Sequence, residues 1–253
     1  MKFLGVIPAR YASTRFPGKP LVDIKGKPMI QRVYEQAQKA LEHVVVATDD
    51  QRIFDAVTQF GGNVVMTSED HQSGTDRCAE AVEKFQQEAN QVFDVVINIQ
   101  GDEPFIQPDQ IESLKECFTN DAVDIATLVR PTRDKSLIFD PNKVKVVTGV
   151  DNRAIYFSRS PIPFVRGVNE EEWGAENEFL IHLGMYGYRT AILEQITTLV
   201  IGKLEKNESL EQLRWLENGL LIMTGKTEHE SYGIDTPEDL KYLMGQQHIL
   251  ELL

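Results

Sequence analysis

Residues 3–21 read FLGVIPARYASTRFPGKPL, and the fold is decided by how this stretch is read. The run Phe3-Leu4-Gly5-Val6-Ile7 has the composition of a strand buried on both faces. Pro8 is expected to end it, because proline cannot donate to a sheet ladder. A polar loop follows, carrying Arg10, Ser13, Thr14, Arg15, Gly18 and Lys19. Residues 1–22 hold four cations (Lys2, Arg10, Arg15, Lys19) and no Asp or Glu, whereas the chain holds 26 Lys and Arg against 39 Asp and Glu, a net charge of -13. Open α/β sheets bind phosphates in the loop past the carboxyl end of a buried strand. Arginine forks and a lysine point charge suit a polyphosphate. The competing reading is a solvated basic loop; three cations on one strand exit favour an anion site.

Outward from this stretch the pattern alternates. Residues 28–40 place Pro28 at a first helical position, with Ile30, Val33, Tyr34 and Ala37 at helical spacing. Residues 43–47 (HVVVA) read as a strand, Thr48-Asp49-Asp50 as caps for a helix over 51–60, Gly61-Gly62 as its end, and 64–66 as a third strand. Thr75 is expected to cap a helix to residue 88, followed by a buried strand at 94–99 and a helix at 108–118. This order predicts a doubly wound, mostly parallel α/β sheet. Past Asp121 the pattern changes. Strands are expected at 124–129, at 143–150 and 154–158 around the turn Asp151-Asn152-Arg153, at 182–189 and at 220–223. Helices are expected at 191–200 and 209–217 and after Thr236, and residues 166–178 read as an exposed acidic excursion. A smaller antiparallel module within about 122–201 of a single α/β domain spanning 1–253 is the resulting expectation, although the length also allows two small domains.

Composition narrows the class. The hydrophobic fraction of 42% and charged fraction of 26% are those of an ordinary globular protein. The acidic balance argues against a duplex-DNA or anionic-membrane binder. Cys78 and Cys117 stand alone in helix-like sequence, so no zinc site is indicated. With no apolar stretch near ~18 residues and no leader pattern, a cytoplasmic protein is expected.

Two acids stand out. Gly101 permits a tight turn after the 94–99 strand and Pro104 stiffens it, which aims Asp102 at the edge that carries the cationic loop. An acid beside a polyphosphate calls for a divalent cation between them, and Mg²⁺ takes one or two carboxylates with phosphate oxygens. Capping of the next helix is the plainer reading of Asp102 or Glu103, but Gln107 already offers a cap. Asp235 in GIDTP reads, by itself, as an N-cap. Residues 71–77, HQSGTDR, form a polar loop for which contact with a base or ribose and a plain helix cap are equally open. With no Walker loop and no GxGxxG present, the residues alone point to an enzyme binding Mg²⁺ and a phosphate-rich small molecule.

The segments IPARYASTRFPGKPL, VATDD, MTSEDHQSGTDR, NIQGDEP, YFSRSPIP, HLGMYGYR, EQLRWLENG and GIDTPEDL, in that order, closely resemble the 3-deoxy-manno-octulosonate (Kdo) cytidylyltransferases. The resemblance spans nearly the whole chain. It implies a Rossmann-like sheet of the nucleotide-diphospho-sugar transferase type and the reaction CTP + Kdo giving CMP-Kdo + diphosphate, for lipopolysaccharide assembly. Carried onto this sequence, Arg10, Ser13, Arg15 and Lys19 hold the CTP phosphates, and Ser73, Thr75 and Arg77 contribute to the nucleotide site. Asp102 and Asp235 coordinate Mg²⁺ and complete a catalytic set with Arg10, Arg15 and Lys19. Gln100, Arg159, His182, Tyr186, Glu211 and Gln212 line the sugar site, Arg159 facing the sugar carboxylate. Read without the family, His182 is a satisfied strand histidine, Tyr186 a core residue and Glu211 a solvated helix face. The resemblance also implies a homodimer, while the acidic charge and the lack of a long apolar stretch argue against a nucleic-acid partner and membrane insertion. Residues 164–178 do not match the family pattern, and Phe164 stands where a Trp is expected. An amino variant of Kdo, sialic acid, or nucleotide binding without catalysis are the alternative functions.

Overall fold

The strand Phe3–Ala9 forms, but it does not stop at Pro8. In the computed structural model, which describes residues 1–71 and 73–253, Pro8 pairs in register with Ala47 of the strand His43–Thr48. Residues of one parity along a strand face one neighbour. Pro8 shares its parity with Val6, which faces Val95–Asn98, and that pairing ends at Val6 and Asn98. Proline therefore sits where no ladder partner remains to receive its missing N–H.

The chain divides into two compact units, Met1–Glu112 with Gly187–Thr197 and Ser231–Leu253, and Ser113–Tyr186 with Thr198–Glu230. The first holds four parallel strands in the order Val95–Asn98, Phe3–Ala9, His43–Thr48, Val64–Met66. Val6, Ile7, Val45, Val46, Val96 and Ile97 are fully buried, as near-continuous apolar runs require. Helices Met29–Gln38, Gln51–Gln59 and Gly74–Ala89 bury one face each. Pro28 closes a small antiparallel ladder, Asp23–Ile24 with Lys27–Pro28, and the helix starts one residue later than expected. Ser73, not Thr75, caps Gly74–Ala89, through a capping box with Asp76. Thr75 lies inside the first turn and is buried.

The second unit pairs Ile125–Thr132 in parallel with Ile222–Lys226. Lys145–Thr148 runs antiparallel to Ala154–Ser158, as the turn at Asn152 (φ 61°) predicts, and antiparallel to Phe179–Arg189. Two readings are corrected here. Residues 166–178 are not wholly exposed: Trp173 is buried with Ile138 and Phe179, and its indole N–H donates to Val168 O. The helix expected over 209–217 spans only Gln212–Glu217, and an unexpected helix, Lys203–Glu208, precedes it and ends where Ser209 turns left-handed (φ 51°).

Candidate active site

Tyr11 organises the cationic loop of the first unit. Its carbonyl accepts from Ser13 N and Gly18 N, both at 3.0 Å, and Ser13 Oγ accepts from Phe16 N at 3.3 Å. Gly18 is left-handed (φ 74°), and a Cβ there would meet the Tyr11 ring at 3.0 Å, so glycine is required twice over. Arg52 stacks on that ring, its guanidinium carbon 3.3 Å from the centroid, held by a two-pronged contact with Asp50. Gly18 and Pro20 thus fix the backbone at Lys19 while its side chain stays long and adjustable.

The loop walls a cavity of about 390 Å³ together with Gln100, Asp102 and Asp235. Gly101 makes this possible, since a Cβ there would lie 2.7 Å from Pro8 O. Ile234 N donates to Asp102 O at 2.9 Å, and the Ile234 side chain is buried with Phe105, Met29 and Leu243. That anchor places Asp235 next to Asp102. Thr236, not Asp235, caps the following helix, through a capping box with Asp239, so the Asp235 carboxylate points into the cavity instead of closing a helix end. Lys19 Nζ lies 2.8 Å from Asp102 Oδ2 and 3.1 Å from Asp235 Oδ1. Arg15 reaches the same Asp235 oxygen at 3.1 Å.

Arg10 lines the same cavity, its Nε 3.4 Å from Asp49 Oδ2. Arg77, only 1% exposed, grips that same oxygen at 2.5 Å and also bonds Thr67. Ser73, Thr75 and Arg77 do not line the cavity: Ser73 caps, Thr75 is buried, and Arg77 meets Arg10 only through Asp49. Gln72 of that loop lies outside the described residues. Asp49 is a residue that sequence reasoning missed as part of the site. Its VATDD setting reads as a helix cap, and that task falls to Asp50.

In the second unit, Thr127 is the centre of a buried polar cluster. Its hydroxyl lies 2.8 Å from Met185 O, 3.1 Å from Leu183 O and 3.0 Å from His182 Nε2. A hydroxyl has one proton, and the carbonyls only accept. Donation to Met185 O leaves Thr127 Oγ1 as acceptor, so the His182 proton sits on Nε2 and Nδ1 is the ring's acceptor. Burial pushes the His182 imidazole down to about 3, so it is neutral at pH 7. Burial, then the Glu211 charge, raises the Tyr186 phenol well above its ordinary value. Tyr186 stands edge-on to Trp215 and tilted against His182. Gln212 is buried, and its Nε2 has no partner among the described residues. Glu211 pairs with Arg214 at 2.9 Å. The Arg159 guanidinium donates to the carbonyls of Glu208, Pro141 and Ser209.

Known proteins resemble this chain along its length. The cytidylyltransferase family model matches residues 4–227. The 3-deoxy-manno-octulosonate cytidylyltransferase of Parabacteroides distasonis is 57% identical, covering 95% of this chain and 96% of that protein. Its namesake from Bacteroides thetaiotaomicron is 55% identical, covering 96% of each. A solved structure of CMP:2-keto-3-deoxy-manno-octonic acid synthetase complexed with CTP superposes with a TM-score of 0.88 at 42% identity, covering 97% of this chain and 98% of that one. The strand exits, the cationic loop and the paired acids are therefore those of a member of the 3-deoxy-manno-octulosonate cytidylyltransferase family, to which this chain belongs.

Proposed function

We propose that this chain transfers the cytidylyl group of CTP to Kdo and releases diphosphate, yielding CMP-Kdo for lipopolysaccharide assembly. The observation that carries this reading is the convergence of Arg15, Lys19, Asp102 and Asp235 on one cavity, in a chain whose relatives share that name. The donor set fits Mg²⁺. Asp102 and Asp235 already lean on one cationic point, and Mg²⁺ takes one or two carboxylates with phosphate oxygens and water. No group of three or more His, Cys, Asp or Glu able to cage a metal exists among the described residues, so these two would hold the ion jointly with the nucleotide. Held there, Mg²⁺ would supply charge neutralisation at the α-phosphate and lower the pKa of the attacking hydroxyl.

The chain's own residues do the positioning. Arg10, Ser13, Arg15 and Lys19 hold the phosphates, and the cations take up charge as the bond from the α-phosphorus to the diphosphate oxygen breaks. The anomeric oxygen of Kdo forms the new bond to that phosphorus and gives up its proton to water. Gln100 lies at the cavity wall. Ser73, Thr75 and Arg77 act from behind the nucleotide, Arg77 through the Asp49 link to Arg10. In the second unit, His182, Tyr186, Glu211, Gln212 and Arg159 serve the sugar; the unpartnered Gln212 Nε2 is a buried donor awaiting an acceptor. Val150, Ile155, Phe164, Val200 and Ile201 are exposed apolar residues, all within 122–201, which supports that module as a homodimer contact. Among the described residues no helix is long and apolar enough to cross a membrane, and a supply of CTP favours the cytoplasm as its location. Diphosphate release measured with CTP and a panel of sugar acids tests the reading. Release with sialic acid but not Kdo, or CTP binding without release, would replace it.

A further inference from the structure

We infer that the Lys19 ammonium is a resident counter-cation that holds Asp102 and Asp235 together, and that a divalent ion enters by exchanging with it. This rests on the assignment of those two carboxylates as the ion's ligands. Asp102 and Asp235 arrive from distant parts of the sequence, tied by the Ile234 N to Asp102 O hydrogen bond. Bringing two carboxylates to one place is repulsive unless a cation lies between them. Lys19 supplies that cation, at 2.8 and 3.1 Å. Its side chain is 13% exposed, against 64% for Arg15, so it is the enclosed member of the pair.

Exchange follows from size and charge. Mg²⁺ binds carboxylate oxygens at about 2.0–2.1 Å, closer than an ammonium can approach, and the two cations repel within one cradle. Lys19 must leave as the ion enters. Its backbone is held by left-handed Gly18 and by Pro20, so only the flexible stem moves, and the freed ammonium stays within the same cavity as Arg15 and Ser13. Phosphates arriving there give the displaced ammonium a new anionic partner. Lys19 thereby couples the two ligands: the ion without nucleotide binds against the ammonium, and the nucleotide removes that opposition.

The test is Mn²⁺ binding to the nucleotide-free full chain, followed by electron paramagnetic resonance. Lys19→Met is expected to bind Mn²⁺ about tenfold more tightly than wild type, because nothing has to be displaced. Lys19→Arg, which keeps a cation, is expected to stay within about twofold. A merely structural lysine would not give tighter binding when removed. Should Lys19→Met lose its fold, Mg²⁺ titration of wild type with ¹³C-labelled lysine gives the second reading: the Lys19 ε-methylene resonance is expected to shift in step with saturation. Unchanged or weaker Mn²⁺ binding by folded Lys19→Met, or a silent resonance, overturns the exchange. In the Lys19→Met background, Asp102→Asn and Asp235→Asn are expected to abolish the tight binding. If they leave it intact, the ligand assignment itself falls, a failure distinct from that of the exchange.

Discussion

The two clusters of polar residues are built on opposite principles. In the first unit, Arg15, Lys19, Asp102 and Asp235 are charged and partly exposed, compensate one another, and sit on backbone fixed by Gly18, Gly101 and a buried Ile234. In the second, Thr127, His182, Tyr186 and Gln212 are neutral and mostly withdrawn from water, the first three oriented by hydrogen bonds or ring contacts. Charges in the open can be exchanged for those of a polyphosphate with little cost to the fold. Neutral groups in the interior select shape and hydrogen-bonding pattern, and their loss is felt by the fold. The first cluster accordingly favours exchange with charged groups, as the nucleotide role proposed for it requires, and the second favours selection by shape, as the proposed sugar role requires.

The largest expected effect breaks the charged side of this contrast. Asp102→Asn and Asp235→Asn each keep side-chain size and are expected to lower kcat by about 100-fold or more while the melting temperature stays within a few degrees. The double variant is expected to lose much less than the product of the two, because both serve one function. Diphosphate release beside a thermal melt checks this; multiplying losses would separate the two acids.

Next in size is the neutral side. Thr127→Val keeps the shape but leaves the His182 Nε2 donor without its acceptor, at an expected cost of about 1–3 kcal/mol of stability, read by denaturant unfolding. Arg15→Ala, at a site 64% exposed, is expected to shift stability by no more than about 0.5 kcal/mol and to raise KM for CTP about tenfold or more. If Arg15 proved the more destabilising of the two, the contrast would be reversed.

The same contrast explains what could be read from sequence. The alternation of strands and helices was legible because buried parallel strands are unbroken apolar runs, as in Val44-Val45-Val46. Pro8 misled because the parity that spares it depends on where its neighbour strand ends, which is a three-dimensional fact. Helix Lys203–Glu208 was missed because it buries none of its residues and so carries no periodic signal. Charged cavity residues announced themselves through the sign reversal in the first 22 positions. The pairing of Arg77 with Asp49, and through it Arg10, did not, since no local pattern reports that an arginine is 1% exposed. Asp235 looked like a cap because the sequence cannot show that Thr236 and Asp239 have already closed that helix.

The smallest effect concerns pH and sharpens the neutral side. His182 has a folded value of about 3 against an ordinary 6.5, so above pH 6.5 the folded and unfolded chains both keep it neutral. Below 6.5 the unfolded chain takes up a proton that the folded chain refuses. Stability therefore declines from His182 as pH falls from 6.5 towards 3. His182→Gln, which retains a donor for Thr127, is expected to flatten that decline in melts recorded from pH 7 to pH 4.5, so that its stability deficit relative to wild type is largest at pH 8 and shrinks towards pH 5. The profile of kcat/KM for the sugar is expected to show no inflection from this residue near 6.5, because the ring does not titrate there in the folded enzyme. An inflection that disappears in His182→Gln would mean that the imidazole is charged at work. The second cluster would then join the first as a site built on charge.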